Sequence, residues 1–158
     1  MRNILHTPIP EKRYRARAFA LVETLLATAI MVFGLCAILI TYISCLLLIT
    51  TAKNINIATN ATLSLMEGIR SSDFTQISAN YNGLNFVLND IPLSRGVVYV
   101  DDTNAELLQV DISVCWQQGN RVIGEDANLN GMLDPGEDVN GNGIIDSTVK
   151  ATTLIANR

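Results

Sequence analysis

The stretch EDANLNGMLDPGEDVNGNGIID, residues 125–146, holds six carboxylates and no cation. As ordinary loop it would repel itself, so the pattern predicts a positive partner. Asp126, Asn128 and Asn130 alternate, Gly131 follows, and a late acid comes at Glu137. Oxygen ligands at positions one, three and five, a glycine at six and a bidentate carboxylate at twelve are how a loop wraps Ca²⁺. Met132 then offers its backbone carbonyl at seven, Leu133 is the apolar residue at eight, and Asp134 falls at nine.

The pattern repeats with a shift of twelve: Asp138, Asn140, Asn142, Gly143, the carbonyl of Ile144, and Asp146. Position twelve of this second loop is Val149, so it lacks the bidentate ligand. The second site is therefore either the weaker one or borrows an acid from the first. Pro135-Gly136 and the immediate start of the second loop leave no room for flanking helices, which makes these EF-hand-like loops without the hands. The plainer alternative is a flexible acidic hairpin tip rich in Asn and Gly. Mg²⁺ fits less well because it keeps its waters, and zinc is poorly served with no histidine nearby and Cys115 alone. Calcium is the expected cofactor, ordering the hairpin rather than driving chemistry.

A second chemical oddity lies near the start. Thr24 to Ala52 is a run of 29 residues without a formal charge, and a bilayer-spanning helix needs about 20. Glu23 stands at its head, with no Lys or Arg after it until Lys53. A charged group in hydrocarbon costs roughly 2.5–3.5 kcal/mol even on lenient insertion scales, unless it is paired. The apolar run is too long for the core of a cleavable secretory signal. Residues 1–18 carry Arg2, Lys12, Arg13, Arg15 and Arg17 against Glu11, a net +4, so the remaining residues sum to −8. Positive residues beside a membrane segment stay cytoplasmic, which sets the N-terminus inside and the acidic part outside. That acidity also argues against nucleic acid as a partner.

These features require particular elements to position them. Ala58, Thr62, Leu65 and Ile69 recur at helical spacing, and no proline interrupts residues 19–91. The spacing predicts one helix from Phe19 to Arg70, about 80 Å long, apolar all round in its first half and amphipathic in its second. Residues 73–95 read as a loop region with a short strand at Leu84–Leu88. Gly96–Val100 reads as a strand. Leu108 to Trp116 alternates apolar and polar residues, which predicts a half-buried strand with its apolar face on the helix. Gln117–Asn120 is a turn, Arg121–Gly124 a return strand, and Val149–Ala156 another. The expected fold class is α+β: a long N-terminal transmembrane helix continuing into an amphipathic helix packed on a small antiparallel meander. Cys36 and Cys45 lie nine residues apart, about 13 Å along a helix, too far to bridge. No internal disulfide is expected.

Phe19-Ala20-Leu21-Val22-Glu23, after a short basic leader and before a long apolar helix, resembles the processing site of type IV prepilins and type II secretion pseudopilins. The resemblance implies cleavage between Ala18 and Phe19 by a prepilin peptidase on the cytoplasmic side, with N-methylation of Phe19. It implies that Glu23 pairs with the N-terminal amine of a neighbouring subunit. LLQVDISVCW (residues 107–116) and the tail VKATTLIANR look like the closing hairpin of the minor-pilin group that includes pilus-modification proteins, with the acidic loops inserted where relatives have a short turn. Coverage is residues 1–70 and 107–158. Two features depart from the family: Ala18 stands where glycine is usual, and the membrane helix lacks the proline of many major pilins.

The division implied is a leader at 1–18, a transmembrane half at 19–52 and a pilin-like head at 53–158 carrying the insertion 125–146. The expected role is a minor pilin or pseudopilin, held in the inner membrane as a single pass and then built into a pilus or pseudopilus with other pilin subunits. The alternative is an unprocessed membrane-anchored, calcium-dependent adhesion module. An enzyme is not expected, because the only histidine, His6, lies in the leader and no Ser or Cys has an evident base. No small-molecule substrate is expected either.

Overall fold

A computed structural model describes the backbone of residues 12–157 and the side chains of residues 20–157. The chain divides into two compact units, Met1–Leu48 and Ile49–Arg158. Helix α1, Lys12–Arg70, runs without a break through both. In the first unit its large apolar side chains, from Leu21 to Leu48, are exposed. The helix is long and apolar enough to cross a membrane. Four of its hydroxyls bond back to the helix: Thr24 donates to the carbonyls of Ala20 and Leu21, Thr28 to Leu25, Thr41 to Ala37 and Ser44 to Ile40. Such back-bonding is what a polar side chain needs where no water reaches it.

In the second unit the same helix changes character. Ala58, Thr62, Met66 and Ile69 are buried, the three-and-four spacing of a core-facing stripe. The chain bends at Ser71-Ser72 into helix α2, Phe74–Tyr81, where residues 73–95 were expected to be loop. Asp73 caps it, its side chain accepting from the Thr75 N–H at 3.0 Å. The aspartate that reads as a breaker in the sequence thus acts as a start signal.

Five strands follow: β1 Asn85–Phe86, β2 Ser94–Asn104, β3 Leu107–Gln118, β4 Arg121–Ile123 and β5 Val149–Ala156. All pairings are antiparallel, and β1 to β4 form the expected meander. The chain then departs from a meander: β5 returns to pair with β3, from Leu107↔Ala156 to Val114↔Val149. One sheet face packs on the helices. Met66, Ile69 and Ile77 meet Val98, Val100, Leu108, Val110 and Ile112, while Ala58 joins Val114, Trp116 and Val149. Each such aliphatic side chain contributes about 1.5–3 kcal/mol of transfer free energy. The half-burial expected for β3 is incomplete as a description, because Asp111, Ser113 and Cys115 on its other face are buried too. The insertion between β4 and β5 packs on Cys115, while Asp111 bonds Thr152 of β5 and Gln109.

Candidate functional site

The two acidic loops are docked on the sheet by their apolar residues. Ile145, at position eight of the second loop, is fully buried against Val97 and Cys115, and Leu129 and Leu133 of the first loop pack beside them. Polar contacts fix the same seat. The Ile145 N–H donates to the Tyr99 hydroxyl at 3.1 Å, and Arg95 Nε donates to the Leu129 carbonyl at 3.1 Å. At the base, the Glu125 N–H donates to the Asp146 carbonyl at 2.8 Å. Gly131 turns the first loop with φ of +78°, and a Cβ there would lie 1.8 Å from Asn85 Oδ1. The positive φ favours glycine, and any side chain there would also have to push Asn85 aside.

In the first loop Asp126 is wholly buried, and its oxygens accept the Asn130 N–H at 3.0 Å and the Gly131 N–H at 2.8 Å. The Asn128 and Asn130 amides both donate to Asp134 Oδ2, at 2.7 and 2.8 Å. Asn130 Oδ1 accepts the Met132 N–H at 2.6 Å. Glu137, nearly buried, closes the ring: Oε1 accepts the Ala127 N–H at 2.8 Å and Oε2 the Asp134 N–H at 3.0 Å. The expected residues of this loop are therefore gathered in one turn.

The second loop reproduces the pattern. Asp138 accepts from the N–H groups of Asn142 and Gly143, both at 3.0 Å, and the Asn142 side chain accepts from the Ile144 N–H at 3.0 Å. Asn140 and Asn142 donate to Asp146 Oδ2 at 2.6 and 2.8 Å. Position twelve differs. Val149 is the first residue of β5 and lies in the core with Trp116. Its place is taken by Glu125, whose Oε2 accepts the Asp146 N–H at 2.9 Å, as Glu137 does for Asp134. The borrowed acid comes from just before the first loop, not from within it. Sequence spacing could not show this, since Glu125 and Asp146 are 21 residues apart.

One cation enters the second loop. Lys150 Nζ lies 2.6 Å from Asp146 Oδ1 and 3.9 Å from Asp111 Oδ1. Its bond holds the Asp146 carboxyl below the usual carboxylate range, with the Asn140 and Asn142 amides adding to the effect and burial opposing it. Beneath the loops, burial raises both the Tyr99 hydroxyl and the Cys115 thiol above their ordinary values. Cys36, Cys45 and Cys115 are all free thiols. Among the described residues, no three His, Cys, Asp or Glu side chains converge as a metal cluster. The loop carboxylates instead hold backbone N–H groups and asparagine amides.

Of the processing residues, Glu23 is exposed on α1, and among the described side chains no ion pair reaches it. Ala18 and Phe19 belong to the helical backbone, while their side chains, like residues 1–11 of the leader, lie outside the described residues. Comparison with known protein families, characterised proteins and solved structures returns no match.

Proposed function

We propose that this chain is a pilin-like filament subunit, a minor pilin or pseudopilin with a calcium-stabilised head. The observation that carries the reading is the division within α1: an exposed apolar half headed by Glu23, and a half whose stripe is buried under an antiparallel sheet. An apolar surface of that length needs lipid or other helices around it. A carboxylate at its head needs a cation, and cleavage between Ala18 and Phe19 creates one as a new amine. On this reading a peptidase of the inner membrane removes the leader, Phe19 is N-methylated, and Glu23 pairs with the amine of a neighbouring subunit.

The calcium part rests on donor chemistry. Both loops offer oxygen ligands, and Gly131 turns the first loop with a positive φ that favours glycine. Asp126, Asn128, Asn130, the Met132 carbonyl, Asp134 and Glu137 would hold the ion in the first loop. Asp138, Asn140, Asn142, the Ile144 carbonyl and Asp146, with Glu125, stand at the corresponding positions of the second loop, where their carboxylates hold N–H groups and amides. Calcium would replace amide protons as the partner of Asp134 and tie the insertion into one rigid cap.

The test of the filament role is the intact mass of protein extracted from native membranes. A chain beginning at Phe19 and carrying one added methyl group is expected. A chain retaining its leader would replace this reading with the anchored calcium-dependent binding module, the outcome that Ala18 in the glycine position favours.

A further inference from the structure

The two loops differ in charge balance more than their motifs suggest. The first contains Asp126, Asp134 and Glu137, and among the described residues no Lys or Arg lies within ion-pairing distance of them. The second contains Asp138 and Asp146, with Glu125 folded onto it as a third carboxylate, and Lys150 already sits on Asp146 at 2.6 Å. We infer that Lys150 is the resident cation of the second loop, so that the head takes one divalent cation, in the first loop, and the second stays closed to metal while Lys150 is in place. The inference rests on the calcium reading above and assigns how that site is regulated.

The sheet explains why this lysine is held there. Lys150 pairs with Ser113 across the β3–β5 ladder, one step from Thr152↔Asp111, so its side chain shares a face with Asp111 and Ser113. Asp111 accepts from Thr152 Oγ1 and from Gln109 Nε2, the latter at 2.8 Å. Ser113 is buried and its hydroxyl has no hydrogen-bond partner. The ammonium therefore lies between a loop carboxylate and a strand face with acceptor capacity to spare. A tethered cation acts at high effective concentration and is always present. A metal ion entering the second loop must displace it, and the displaced ammonium has Asp111 Oδ1, already 3.9 Å away, as an acceptor. On the first loop Arg95 donates to the Leu129 carbonyl, but among the described residues no Lys or Arg is paired with a carboxylate of that loop.

The test is calcium stoichiometry, measured by equilibrium dialysis on the full chain in detergent. One ion per chain is expected for the parent, one for Lys150→Arg and two for Lys150→Met. In chelator, Lys150→Met is expected to melt below the parent, with the deficit closing when calcium is added. Two ions on the parent, or one on a Lys150→Met chain that unfolds cooperatively, would overturn the inference and leave the calcium reading standing. Asp138→Ala gives an answer that does not depend on how Lys150 variants fold. Its stoichiometry should equal the parent's, and loss of an ion would show that the second loop binds with Lys150 present. No calcium on any variant would instead remove the calcium reading, and this inference with it.

Discussion

The first and second acidic loops share a motif but not an environment. At position one, Asp126 is wholly buried whereas Asp138 is partly exposed. At position six, a Cβ on Gly131 would strike Asn85, whereas one on Gly143 meets nothing within 4 Å. At position twelve, Glu137 folds back on its own loop, whereas Val149 has become a core residue of β5. The second loop runs directly into a strand, and a carboxylate at that strand position would point into the core. Glu125 supplies the missing acceptor from the other end of the insertion. The comparison teaches that a ligand-spacing motif specifies local hydrogen bonding, while the surrounding fold decides which positions can be charged.

The sharpest way to break that contrast is to complete the second motif. Val149→Glu would provide its twelfth ligand, yet it buries an unpaired carboxylate beside Trp116. The expected loss is about 3–5 kcal/mol in denaturant unfolding with or without calcium. A stable variant that binds a second ion would show that the strand start can turn outward. Next come the glycines. Gly131→Ala should cost about 2–4 kcal/mol from positive φ and overpacking together, against about 1–2 kcal/mol for Gly143→Ala, where only the backbone term applies. Equal midpoints for the two would mean that the Asn85 contact yields freely. The smallest effects concern position one. In chelator, Asp126→Ala leaves two loop N–H groups without acceptors in a buried setting, for about 1–3 kcal/mol, while Asp138→Ala costs less than about 1 kcal/mol because water replaces its oxygen. Thermal melts of the two variants side by side decide this.

Much of the architecture was legible from local pattern. The end of α1 at Arg70, the buried stripe through Ala58, Thr62 and Ile69, and the strands around Val98, Ile112 and Leu154 all follow from periodicity and turn residues. Helix α2 was not, because Ser71-Ser72-Asp73 reads equally as a breaker and as a cap, and FTQISANY is too short for periodicity to arbitrate. The polar face of β3 misled for another reason. Asp111, Ser113 and Cys115 alternate as solvent-facing residues do, but Thr152 and Lys150 of β5 flank the first two, and an insertion whose apolar contacts are single residues, Leu129, Leu133 and Ile145, packs on Cys115.

A helix long and apolar enough to cross a membrane, a glutamate at the head of its uncharged run and two oxygen-rich loops can all be read from the chain alone, because composition and short-range spacing carry those properties. Tertiary packing, by contrast, sets the pairing of β5 with β3, the placement of Glu125 on the second loop and the contact of Lys150 with Asp146. These joins link residues distant in the chain, or depend on which strand a segment pairs with. The free energy that selects them comes from burying Val149 against Trp116 and Ile145 against Val97 and Cys115, contacts that no local window contains.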